Sequence, residues 1–195
     1  DYLISIYYDN DAVTKTTIDD NVILYNDVDI MEFESYGGFL IDSIAGNNVS
    51  FNTGDSSNND MAYGFWLYTN ENDMHIDTIN NNTFRRMSKS LDLHCDNDGD
   101  IYLGEFVYNT FANFHSGPNG ERAYVPDYEP CLAFHIRGCQ VGLYSPRMAH
   151  NTVVGTKGVK IDIKSDHYDN YLHMYDNVFT KNGEWDSEGG FEDAP

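Results

Sequence analysis

Apolar and polar residues alternate in short runs along this chain, and four runs are especially clean: Gly64-Phe-Trp-Leu-Tyr68, Leu91-Asp-Leu-His94, Phe134-His-Ile-Arg137 and Val159-Lys-Ile-Asp-Ile-Lys164. Successive side chains of a strand point to opposite faces. Period two therefore assigns Phe65, Leu67, Leu91, Leu93, Phe134, Ile136, Val159, Ile161 and Ile163 to a buried face. The opposite face receives Trp66, Tyr68, Asp92, His94, His135, Arg137, Lys160, Asp162 and Lys164. Other strand-like runs are Met74-His-Ile-Asp-Thr-Ile79, Ile101-Tyr-Leu103 and Tyr171-Leu-His-Met-Tyr175, and each is followed within a few residues by an asparagine.

That asparagine recurs at the head of a short apolar segment: Asn48-Val49, Asn82-Thr-Phe84, Asn109-Thr-Phe111, Asn151-Thr-Val153 and Asn177-Val-Phe179. The gaps are 34, 27, 42 and 26 residues, so the short ones approach one coil length and the long ones read as the same coil with an insertion. Asparagine suits such a corner because its amide can hydrogen-bond to its copies in neighbouring coils and because it tolerates left-handed backbone. In these asparagines the chain resembles the right-handed parallel β-helix proteins of the pectate-lyase-like group, over roughly Asn21 to Asn182. The resemblance implies an all-β fold, a right-handed single-stranded parallel β-helix with inserted loops. A β-sandwich with polar turns is the alternative, but it gives no reason to restart each strand pair with the same Asn-Thr-Phe element.

Tyr2-Leu-Ile-Ser-Ile-Tyr7 reads as an edge strand, and the coils are expected from Val22 onward. Residues 52–60 and 115–130 read as loops inserted into coils. The expected organisation is a β-helix domain over residues 1–182 and an acidic, Gly-rich tail or linker over 183–195. No long amphipathic helix is expected to cap either end. Open coil ends favour stacking on a neighbour or continuation in a longer protein.

The balance of 32 acidic residues against 11 Lys and Arg gives a formal charge of −21, which repels nucleic acid and anionic membrane surfaces. No run of 18 apolar residues marks a membrane-inserted helix. So many carboxylates among Asn and Gly suit a secreted or cell-surface protein stabilised by calcium. Asn48-Val-Ser50 and Asn81-Asn-Thr83 fit the acceptor pattern for N-glycosylation. Cys95, Cys131 and Cys139 leave one thiol unpaired if a bridge forms, and buried thiols satisfy the pattern equally well.

The outward stripe is where chemistry is expected. In the pectate-lyase-like group polysaccharide lies along the outer face of one sheet, and the resemblance implies that Trp66 and Tyr68 stack on sugar rings while His94 and the charged residues supply hydrogen bonds. Inverting glycoside hydrolysis needs two carboxyl groups about 6.5–9.5 Å apart. Asp92 and Asp162, two coils apart on one face, meet that span provided that their registers match. Elimination from a uronate is the other template, with His135, Arg137 or Lys160 as base and calcium on the substrate carboxylate. Gly158–Lys164 resembles the Gly-x-Arg-Ile-Lys element of polygalacturonases, whose adjacent-Asp and Gly-His-Gly motifs are missing here. His94–Glu105 resembles an EF-hand loop, with Asp96, Asp98, Asp100 and Glu105 as candidate calcium ligands and His94 in place of the usual first Asp. These observations favour an extracellular module of surface-adhesin or fibre type that binds glycan or a neighbouring protein. A polysaccharide lyase or glycoside hydrolase is the alternative.

Overall fold

The computed structural model describes residues 2–8, 14–25, 28–50, 63–85, 87, 89–96, 99–112, 132–138, 143–154, 158–162 and 171–180. Its described residues form strands and turns, with no helix among them, and the strands fall into three six-stranded sheets. Sheet A contains β1 (Tyr2–Tyr8), β4 (Asp29–Ser35), β7 (Phe65–Thr69), β10 (Lys89–Cys95), β13 (Leu132–Gly138) and β16 (Gly158–Asp162). Sheet B contains β2 (Thr14–Asp19), β5 (Phe39–Ala45), β8 (Met74–Asn80), β11 (Ile101–Val107), β14 (Leu143–Ala149) and β17 (Tyr171–Tyr175). The short strands of sheet C are β3 (Val22–Leu24), β6 (Asn48–Ser50), β9 (Thr83–Arg85), β12 (Thr110–Ala112), β15 (Thr152–Val154) and β18 (Val178–Thr180).

Every strand therefore pairs with the strand three places along the chain, always in parallel, as in a β-solenoid of three-strand coils. The first coil begins earlier than the sequence suggests. Tyr2–Tyr8 is a full member of sheet A because Ile4 and Ile6 continue the apolar rows of Met31 and Phe33.

The core is built from such rows. On sheet A, Phe33, Leu67, Leu93 and Ile136 align and are buried. On sheet B the row is Ile18, Ile44, Ile79, Phe106 and Met148. On sheet C it is Ile23, Val49, Phe84, Phe111 and Val153, where the Phe84 and Phe111 rings stack at 5.4 Å. Burying an aliphatic or aromatic side chain of this size contributes about 1.5–3 kcal/mol, so the repeated rows hold the coils in register.

The asparagine ladder is present, with one correction. Its members are Asn21, Asn47, Asn82, Asn109, Asn151 and Asn177, each amide Nδ2 donating to the next Oδ1 at 2.8–3.0 Å. Asn48 is the exposed first residue of β6 instead, and its Oδ1 accepts from Ser50. The reason lies in the turn. The residue before each ladder asparagine is left-handed: Asp20, Gly46, Asn81, Tyr108, His150 and Asp176 have φ between 51° and 66°. This kink turns the following side chain into the coil, where its second Nδ2 hydrogen finds a carbonyl of the preceding coil, as Asn109 does with Ile79 at 2.9 Å.

A second polar row closes the corner between sheets A and B. Ser35, Thr69 and Cys95 occupy equivalent, fully buried positions, and each donates to a backbone carbonyl just beyond its strand: Gly38, Asn72 and Asp100. Cys95 carries no disulfide. Cys131 and Cys139 lie outside the described residues, as do both proposed loop insertions and the tail over 183–195.

Candidate functional site

On sheet A, parallel pairing lines up the positions that period two assigns to the outer face. One row runs Ser5, Glu32, Trp66, Asp92, His135 and Lys160, and the next runs Tyr7, Glu34, Tyr68, His94, Arg137 and Asp162. Neighbouring positions in a row are separated by the strand spacing of about 4.8 Å. Glu32 and Glu34 join the stripe from β4, and the Asp29-Ile-Met-Glu-Phe-Glu34 alternation is the signal that would have found them. Ile163 and Lys164 lie outside the described residues.

At the β1–β10 end the side chains form an aromatic cluster hemmed by carboxylates. Trp66 stacks on Tyr2 at 6.1 Å and meets Tyr68 at 5.6 Å, and Tyr68 meets the His94 ring edge-on at 5.0 Å. Asp96 anchors the lower edge: Oδ1 faces His94 Nε2 at 2.9 Å and Oδ2 accepts from the Tyr68 hydroxyl at 3.2 Å. Burial, reinforced by the Asp96 charge and hydrogen bond, pushes the Tyr68 hydroxyl up to about 12. The Tyr2 hydroxyl is raised too, first by burial and then by Glu32, Asp29 and Asp92. Burial and the neighbouring Glu32 likewise raise Glu34. Each shift reports a desolvated face with excess negative charge.

Three outward positions of β7 and β10 sit deeper than outward residues usually do. Asp92 is 4% exposed, Ser90, two residues earlier on β10, is 0% exposed, and Trp66 Nε1 is buried. Among the described residues the Ser90 hydroxyl and Trp66 Nε1 have no hydrogen-bond partner. Polar atoms in that condition cost roughly 1–3 kcal/mol each.

Comparison of the chain with protein-family models, with curated proteins and with solved structures returned no match. The chemistry of this face is therefore read from its own residues.

Register separates the paired carboxylates. Asp92 aligns with His135 and Lys160, whereas Asp162 aligns with Arg137 and His94, two residues further along the strands. Two strand spacings and a two-residue offset put the two Cα atoms about 12 Å apart. What the register does assemble is a mixed group, with His135 and Lys160 following Asp92, and Arg137 beside Asp162.

The candidate calcium ligands are dispersed. Asp96 closes sheet A through His94 and Tyr68, Asp100 opens sheet B with its backbone N–H on Asp73, and Glu105 pairs with Arg147 at 3.3 Å in the middle of sheet B. Asp98 lies outside the described residues. Residues 101–107 are a strand, not the second half of a helix-flanked loop. Among the described residues no three His, Cys, Asp or Glu side chains are grouped to hold a metal ion, and no helix is long and apolar enough to cross a membrane.

Sheet B aligns four further aromatic positions that sequence reading missed, His75, Tyr102, Tyr144 and Tyr171, in register with Leu40. The His75 and Tyr102 rings lie parallel at 4.2 Å. The signal was present in Met74-His-Ile76 and Ile101-Tyr-Leu103, but only pairing across coils turns separate aromatics into a row.

Proposed function

We infer that this chain is a right-handed single-stranded parallel β-helix that acts in a secreted or cell-surface setting by binding glycan along the outer face of sheet A. Right-handed winding is supported by the strong preference of parallel strand crossovers for that hand. The observation that carries the binding reading is the contiguous ring cluster of Tyr2, Trp66, Tyr68 and His94, with Glu32 and Asp92 in register on either side of Trp66. Sugar rings present C–H faces that pack on aromatic rings and hydroxyls that bond to carboxylates, and one row supplies both.

A glycan array with the intact chain tests this, followed by Trp66→Ala on any hit. Binding should be lost, and because Trp66 Nε1 is buried a thermal melt of the variant is run alongside, so that loss of ring contact is told from loss of fold. A Trp66→Ala protein that binds as the parent does, or an array with no hits, removes the reading.

Catalysis, by lyase or hydrolase chemistry, is the second reading. It is supported by the register that follows Asp92 with His135 and Lys160, and weakened by the offset between Asp92 and Asp162. Product analysis on bound glycans decides it, since chain cleavage lost in Asp92→Asn would favour an enzyme. Stacking on a neighbouring copy is supported by the last described coil, where Met174 and Phe179 are 43% and 47% exposed. Calcium stabilisation rests on the −21 charge. Equal melting temperatures in chelator and in millimolar calcium would remove it.

A further inference from the structure

The ladder divides the asparagines at the corner between sheets B and C into two kinds. Asn47 and Asn82 are 1% and 0% exposed, and both amide hydrogens of each are taken: Asn47 Nδ2 donates to Asn82 Oδ1 and the Ile18 carbonyl, and Asn82 Nδ2 donates to Asn109 Oδ1 and the Ile44 carbonyl. Their chain neighbours Asn48 and Asn81 are exposed. Asn48 engages only its Oδ1, which accepts from Ser50, and Asn81 gives one amide hydrogen to Asn80 Oδ1 at 3.3 Å. The sequence contains two Asn-x-Ser/Thr patterns, Asn48-Val-Ser50 and Asn81-Asn-Thr83, and each starts on the exposed asparagine rather than on its ladder neighbour. A ladder asparagine never starts one, because the residue two places on belongs to the apolar row of sheet C: Ile23, Val49, Phe84, Phe111, Val153 or Phe179.

We propose that Asn48 and Asn81 are N-glycan acceptors, so that two adjacent coils carry glycans on the corner between sheets B and C. The proposal rests on the secreted or cell-surface setting inferred above and adds two modification sites to it. In the transfer, the asparagine Nδ2 displaces the diphosphate group of a lipid-linked glycan donor from the anomeric carbon of the first sugar. An N–C bond forms, the C–O bond to the diphosphate breaks, and Nδ2 gives up one of its two protons. The acceptor hydroxyl of Ser50 is 2% exposed in the folded chain, so transfer to Asn48 precedes folding, and the fold then has to accommodate the product. It does so at both positions. Glycosylation leaves the Asn48 carbonyl oxygen unchanged, which keeps its bond from Ser50, and the one N–H left on Asn81 is enough for its bond to Asn80. On a ladder asparagine the same reaction would remove one of two buried hydrogen bonds and drive a sugar into the coil. Asn48 is in register with Thr83, which places the two acceptors on neighbouring coils two residues apart. Sheet A forms no part of that corner, so its outer face stays open to a ligand.

The test is peptide mass spectrometry of the full chain recovered from its own source, with N-glycans released by an amidase in heavy-oxygen water, so that each occupied asparagine becomes a heavy-labelled aspartate. Label is expected at Asn48 and Asn81 and at no ladder asparagine. Thr83→Val, which removes the hydroxyl and keeps the outline of the side chain, should erase the label at Asn81 alone, and Ser50→Ala should erase it at Asn48 alone. Unlabelled Asn48 and Asn81 in chain taken from the secreted or surface fraction overturn the sites while leaving the setting in place. A chain confined to the cytosol overturns the setting and the sites together. Label at one of the two positions overturns the paired arrangement, and label that survives loss of its hydroxyl overturns the Asn-x-Ser/Thr assignment. The parent chain carries the deciding measurement, so the test holds even where a variant fails to fold.

Discussion

At the scale of the residue, the ladder asparagines do more than mark a corner. Asn109 accepts on Oδ1 from the backbone N–H and the amide of Asn82 and donates from Nδ2 to Ile79 and Asn151. Asn109→Ala would leave buried groups on two neighbouring coils without partners. At roughly 1–3 kcal/mol for each such group, the expected loss is about 3–5 kcal/mol in urea unfolding. Asn48→Ala, one residue past the true ladder position of its coil, should cost no more than about 1 kcal/mol, since it loses one bond from Ser50 at a partly exposed site. Equal costs for the two would remove the ladder as a stabilising element. The sequence displays Asn47-Asn48 as a pair, and nothing local distinguishes them; the left-handed Gly46 before the pair decides. A Cβ at Gly46 would meet Asp20 Oδ1 at 2.2 Å, so glycine is favoured there both by its φ of 66° and by space. Asn109, Asn151 and Asn177 were legible because no neighbouring asparagine competes with them, and Asn82 because it is the last of the run Asn80–Asn82, directly before the apolar strand.

At the scale of the element, period two was informative for the middle of sheet A. In β7 and β10 alternation assigned Trp66, Tyr68, Asp92 and His94 to one face, and parallel pairing then aligned Trp66 with Asp92 and Tyr68 with His94. What alternation cannot supply is the offset between strands far apart in sequence, which is why the register of Asp162 against Asp92 was open in the sequence; Asp162 is found opposite Arg137. The Ser35, Thr69 and Cys95 row was illegible for a related reason: three different residue types serve one geometric purpose. Cys95→Ser is accordingly expected to cost under about 1.5 kcal/mol despite complete burial, because Ser35 already makes the equivalent bond to Gly38. On the outer face, Glu34 gives a pH prediction. Its folded titration is raised by burial and by Glu32, so folding favours the protonated form. Its stabilising contribution is complete below the ordinary carboxylate range and is lost as pH rises through the raised folded value. Glu34→Gln should therefore flatten this part of the stability profile and raise the urea midpoint at neutral pH relative to acid. A wild-type profile reproduced by the variant would show that the carboxylate is not in that field.

At the scale of the whole molecule, each coil packs only on its neighbours, so stability is a sum of coil and interface terms with the ends contributing least. One row of sheet C provides an internal comparison. Phe111 is fully buried between Phe84 and Phe106, whereas Phe179, two strands along the same row, is 47% exposed because no described strand follows β18. Phe111→Ala should cost about 3–5 kcal/mol, as a buried aromatic truncation does. Phe179→Ala should cost no more than about 1 kcal/mol if its coil is open in solution, because only part of its surface leaves water on folding. Amide exchange should follow the same order, with the β18 amides opening well before those of β9 and β12. A large cost at Phe179 would mean that this end is covered. If melting temperature then rises with protein concentration, the cover is a second copy stacked on the open coil, since mass action stabilises only an associating state. If it does not, the cover comes from the same chain, and the exposed Met174 and Phe179 are an inner layer rather than an interface.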